Sequence, residues 1–136
     1  QILRLIRELQ EQEGTAVMLI SHDIGVIAAL SSRIAVYYAG RVVETGTAEQ
    51  VLTTPRHPYT SALLAALPNP EKDRLEAIGG QPPNLARLPA GCAFAPRCAR
   101  RFDRCVDDPP LISMDETHSA ACWLVPEEAL ISGQQR

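Results

Sequence analysis

TAVMLISHD, residues 15–23, opens on an apolar run rich in β-formers and ends on three polar residues. A short unbroken apolar run bounded by turn residues suits a strand buried on both faces, as in a parallel sheet. Upstream, Ile2, Leu5, Ile6 and Leu9 recur at helical spacing, and Gly14 is the expected stop just past the last turn. Downstream, Asp23 caps a second helix that turns Ile24, Ile27 and Leu30 inward. This order reads as part of an α/β layer architecture.

The next stretch, RIAVYYAGRVVETG, reads as two short strands around a hairpin turn at Ala39-Gly40. Strand alternation sends one of Tyr37 and Tyr38 to the core and the other outward. Thr47 and Gln50 make a T-x-x-Q capping box that opens a short helix, and Pro55 ends it. Pro58 fits the first turn of a further helix, roughly HPYTSALLAAL, which Pro68 closes; His57 before it reads as helix initiation.

The chain has 136 residues, 46% of them hydrophobic, and a net charge of −3. That length suits one ordinary domain with a real core. The charge argues against a nucleic-acid partner held by bulk electrostatics. No apolar run approaches a membrane span. Gln1 enters a helical pattern without a preceding Met, which is the expectation for a segment of a longer chain. Ten of the 11 prolines lie between Pro55 and Pro110, and Pro126 is the last. Proline removes a backbone donor and interrupts helices and central strands. Residues 1–54 therefore read as regular structure, 55–67 as a connecting helix, and 68–136 as an irregular unit that needs a staple.

GCAFAPRCARRFDRC, residues 91–105, offers that staple. Cys92, Cys98, Cys105 and Cys122 follow the spacing C-x5-C-x6-C-x16-C. The residues alone leave four readings open: two disulfides, structural zinc, an iron–sulfur cluster, or free thiols. Arg97, Arg100, Arg101 and Arg104 face only Asp103 across this stretch, a balance that would offset four thiolates without choosing the metal. Gly91 and Pro96 fit a loop folded tightly around a centre. His118 is an alternative ligand, and Trp123 reads as a cover for a small tail core.

Ser21, His22 and Asp23 raise a separate question. Ligands of open α/β sheets bind at the carboxyl ends of strands, where a histidine can meet a phosphate oxygen or an attacking water. The plainer reading makes Asp23 a cap and His22 a polar loop residue.

From Gln1 to Leu52 the chain resembles the C-terminal part of an ABC-transporter ATPase domain. The continuation PRHPYTSALLAALPNP, IGGQPPNL and GCAFAPRC, with its two later cysteines, resembles the tail of the oligopeptide/dipeptide-type importers. The resemblance covers nearly the whole chain. It implies that the fold is the C-terminal piece of a P-loop NTPase core followed by a small irregular, Pro-rich four-cysteine domain. It implies that His22 is the switch histidine, contacting the γ-phosphate of ATP (bound with Mg) and the attacking water. It also implies a [4Fe–4S] cluster on Cys92, Cys98, Cys105 and Cys122, with zinc as the runner-up, and a reducing compartment that disfavours disulfides. Implied partners are a second ATPase subunit, membrane-spanning permease subunits and a separate peptide-binding protein, at the cytoplasmic face of the inner membrane. No G-x-x-x-x-G-K-[ST] occurs in the chain, so by itself it is expected not to hydrolyse ATP. The competing expectations are a metal-binding interaction module without catalysis and a redox sensor that uses the cysteines.

Overall fold

The computed structural model describes residues 2–67 and 78–125. Pro68 and Pro126, expected to punctuate the chain, lie outside them. Helix α1 spans Ile2–Glu13 and α2 spans Ile24–Leu30. Gly14 stands at φ +62°, the left-handed stop expected after α1. The Asp23 carboxylate accepts the Val26 N–H at 3.2 Å and caps α2 as expected.

Residues 15–20 between these helices are not a strand. Met18 and Ile20 are 89% and 90% exposed. A strand buried on both faces needs a strand on each side and a packed layer over each face. Among the described residues nothing pairs with 15–20. The apolar run signalled a demand for burial, and no neighbour here meets it. The parallel sheet is thus replaced by an antiparallel one, and the α/β expectation holds as a mixture of helix and sheet.

That sheet starts from the hairpin. Strands β1 (Arg33–Tyr38) and β2 (Arg41–Thr47) pair antiparallel, with Arg33 opposite Thr47 and a bulge at Val36/Tyr37. Ala39 and Gly40 make the turn at φ +50° and +79°, the left-handed pair that a tight hairpin demands. Tyr38 is buried and Tyr37 faces out. Two-residue strands β3 (Ile112–Ser113) and β4 (Ser119–Ala120) extend the sheet in the order β1-β2-β4-β3. Ala120 stands opposite Glu44 on one side and Ile112 on the other. Residues 112–121 are therefore stitched to the hairpin by backbone hydrogen bonds.

Helix α3 (Ala48–Thr53) opens on the expected reciprocal capping box. Thr47 Oγ1 accepts the Gln50 N–H at 3.2 Å, and Gln50 Oε1 accepts the Thr47 N–H at 2.9 Å. Helix α4 (Pro58–Ala65) has Pro58 in its first turn, where a missing N–H costs nothing. Two apolar clusters hold the sheet. One joins Ile112, Ala120, Cys122 and Val125, with Trp123 packed against it. The other joins Tyr38, Val43 and Phe94, with Tyr59, Ile78 and Cys92 around it. Among the described residues no helix is long and apolar enough to cross a membrane.

Candidate four-cysteine site

The loop from Gly91 to Val106 is closed at its neck. Gly91 sits at φ +76°, and the Cys92 N–H donates to Cys105 O at 3.1 Å. Two short 3-10 turns, Ala95–Arg97 and Asp103–Val106, fold the loop back on itself. Phe94 anchors it. The ring meets Tyr38 of β1 edge-on and Tyr59 of α4 at a tilt, at centroid distances of 5.3 and 5.4 Å, and those two tyrosines meet at 4.6 Å. Such aromatic contacts are worth about 1 kcal/mol each beyond the area they bury. The Trp123 indole N–H donates to Asp107 O at 3.0 Å, which draws Cys122 towards the same neck.

Cys92, Cys98, Cys105 and Cys122 consequently line one narrow pocket, together with His57, Pro58, Phe94, Arg100, Pro109 and Trp123. All four are free thiols; Cys122 is buried and the others are half-buried. Burial pushes the Cys92 thiol up, N–H groups of Phe94 and Ala95 pull it back in part, and Cys105 and Cys98 raise it further. Cys122 is likewise raised, first by burial, then by the other three cysteines; the Leu124 N–H opposes this from 3.5 Å. A ligand that wants thiolates must therefore displace protons as it binds.

The donor set suits a four-thiolate centre; the spacing is not preset for one. Among the described residues no group of three or more His, Cys, Asp or Glu is arranged to hold a metal ion as it stands. The pocket interior has room for about one water molecule. Binding would draw the thiols inward around one ion, or move the loop outward around a larger cluster.

The arginines do not act as their composition suggests. Arg97 donates to Gly79 O at 2.8 Å, to Ile78 O at 3.1 Å and to the Tyr38 hydroxyl at 3.4 Å. Arg104 lies 3.9 Å over the Trp123 ring, a cation–π contact. Only Arg100 of the four lines the pocket. Backbone carbonyls and an indole are nearer partners for these guanidinium groups than the thiols are.

His118 is committed elsewhere. Its Nε2 meets Glu44 Oε1 at 2.8 Å, with both side chains buried. The Glu44 carboxylate also accepts the Arg56 N–H at 2.8 Å and the His57 N–H at 2.9 Å. Sequence reasoning missed Glu44 altogether. The indirect signal was the run Arg56-His57-Pro58, since donors ahead of a proline-started helix need an acceptor. His57 caps that helix as expected, its Nδ1 accepting the Tyr59 N–H at 3.0 Å. Burial lowers its pKa to about 4, against an upward pull from Glu44, so the ring is neutral.

His22 lies on the exposed loop between α1 and α2. The structure does not bring it to the cysteines.

Residues 43–105, from Val43 to Cys105, match the family model of the oligopeptide/dipeptide transporter, C-terminal region. The match takes in Glu44, His57 and three of the four cysteines. The chain is 41% identical over 130 residues to the oligopeptide transport ATP-binding protein OppD of Haemophilus influenzae. It is 42% identical over 134 residues to OppD of Bacillus subtilis. It is 41% identical over 131 residues to a putative peptide import ATP-binding protein of Brucella ovis. These alignments cover 94%, 95% and 90% of this chain, and 40%, 37% and 39% of the relatives. The chain thus spans about two fifths of the length of the curated relatives it matches.

Proposed function

We propose that this chain is part of the ATP-hydrolysing subunit of a peptide ABC importer. The observation that carries the reading is the match of its transporter C-terminal region, continued by similarity to oligopeptide transport ATP-binding proteins over nearly the whole chain. On this reading residues 1–54 belong to the ATPase domain, 55–67 connect, and 68–136 form the tail. His22 contacts the γ-phosphate of Mg-bound ATP and the attacking water, with the phosphate-binding loop supplied by another part of the protein. Its exposed loop position leaves the imidazole accessible to such a ligand. The partners are a second ATPase subunit, the permease subunits and a peptide-binding protein, at the cytoplasmic face of the inner membrane. Without a phosphate-binding loop, the chain alone neither hydrolyses ATP nor binds it appreciably.

Cys92, Cys98, Cys105 and Cys122 hold a [4Fe–4S] cluster. Convergence of four unbridged thiols on one pocket supports this assignment. When bound, such a cluster supplies a redox-responsive cross-link between loops. The residues of the chain supply the rest: Gly91 closes the neck, Phe94 anchors the loop, and Arg100 offsets negative charge.

Two measurements test the proposal. Replacing His22 by alanine in the complete coding sequence should abolish ATP-driven uptake of a labelled oligopeptide; unchanged uptake refutes the transport reading of His22. Anaerobic purification should give about four iron and four acid-labile sulfide per chain. Zinc near one per chain would replace the cluster by a structural ion, and neither metal would reject the centre.

A further inference from the structure

The motif Arg56-His57-Pro58-Tyr59 does more than start a helix. His57 is only 1% exposed, yet it lines the cavity that the four cysteines share. Its backbone is fixed, because its N–H donates to the buried Glu44 carboxylate. Its ring is fixed as well. Nδ1 accepts the Tyr59 N–H, and the ring stands 5.9 Å from Phe94, which anchors the cysteine loop. An imidazole nitrogen that accepts a backbone N–H carries no proton of its own. The ring proton therefore sits on Nε2.

We propose that His57 is a hydrogen-bond donor to the four-cysteine centre, its Nε2–H directed at a ligand sulfur and tuning the electron affinity of the bound cluster. This deepens the cluster assignment above and rests on it. Every part of the arrangement serves that role: a rigid backbone, a fixed tautomer, and a ring in the cavity wall beside Cys92, Cys98, Cys105 and Cys122. A donor to a ligand sulfur withdraws electron density and favours the reduced, more negative state.

Two substitutions separate this role from helix capping. His57→Asn keeps a side-chain acceptor near the Nδ1 position and removes the distal donor. His57→Gln places an amide N–H near the Nε2 position and loses the cap. The experiment uses anaerobically purified whole chain, iron and sulfide analysis, and an optical redox titration of the loaded protein.

The expected result is cluster content near wild type in both variants. The midpoint potential should shift negative in His57→Asn and return towards wild type in His57→Gln. Urea stability should follow the opposite order, with the glutamine variant the weaker. A His57→Asn potential equal to wild type overturns the inference while leaving the cluster in place. A negative shift of equal size in both variants also overturns it, since that would follow the ring's bulk and not its donor. Wild-type protein without iron overturns the cluster reading itself, and the inference falls with it.

Discussion

Replacing Gly91 by alanine should open the cysteine loop, and the structure sets the size of the effect. A Cβ at this position would lie 2.3 Å from Val106 O, 2.4 Å from the Val106 carbonyl carbon and 2.6 Å from Cys105 O. These are backbone atoms, so no rotamer change relieves the overlap. The left-handed backbone at φ +76° adds roughly 1–2 kcal/mol for any residue with a Cβ. Escape means breaking the Cys92 N–H to Cys105 O bond, a net loss of about 1 kcal/mol. Overpacking contributes about 1–3 kcal/mol more. The cost is therefore about 3–6 kcal/mol, a large share of the stability of a small domain. Gly40→Ala is the control, since Gly40 has φ +79° but nothing within 4 Å of a built Cβ. It should cost only the backbone part, roughly 1–2 kcal/mol. Urea unfolding of both variants, read as midpoint shifts at constant slope, measures the difference. If Gly91→Ala falls within about 0.5 kcal/mol of Gly40→Ala, the close approach of residue 91 to 105–106 is wrong, and with it the closed neck.

Glu44→Ala leaves the Arg56 and His57 N–H groups and His118 without their acceptor, and should cost about 3–5 kcal/mol in urea unfolding. A double-mutant cycle of Glu44→Gln with His118→Gln should return a coupling of at least about 1 kcal/mol. Burial, offset in part by Glu44, lowers His57 from 6.5 to about 4, so the unfolded chain takes up this proton first as pH falls. Stability from this group is complete above pH 6.5 and declines towards pH 4 by about 3 kcal/mol; urea midpoints across that window check it, and His57→Asn should flatten the slope. Arg97→Lys should lose about 1–2 kcal/mol and speed hydrogen exchange near Arg97, because a single ammonium cannot span Ile78 O, Gly79 O and the Tyr38 hydroxyl together.

Local chemistry was readable from the sequence wherever the cause was local. The Ala39-Gly40 turn, the Thr47–Gln50 box, the Asp23 cap and the proline start at Pro58 each depend on residues within a few positions. Residues 15–20 failed for the converse reason. Their composition states a preference for burial, and a strand exists only if partners come from elsewhere. Glu44 was invisible because a buried carboxylate leaves no period in the pattern; its partners stand 12, 13 and 74 positions away. The arginines misled because net charge does not say which neighbour a guanidinium will choose. Arg97 and Arg104 chose carbonyls and an indole, which are fixed in place, over the thiols.

The cysteine pocket is consequently not a property of the cysteine loop alone. Cys92 and Cys105 are set by the neck at Gly91, and Cys98 by the first 3-10 turn. Cys122 comes from the end of the sheet, two residues after β4 leaves Glu44's strand. His57 and Pro58, which complete the wall, come from α4. Each piece is held by a different contact to β2: β4 by its ladder, α4 by the Glu44 carboxylate, and the loop by Phe94 against the cluster that includes Val43. A peptide covering residues 91–122 would keep every thiol and lose the scaffold that gathers them. Glu44 sits where two of these contacts meet, binding α4 directly and the approach to β4 through His118. Its buried carboxylate therefore couples the hairpin to the geometry of the cysteine site.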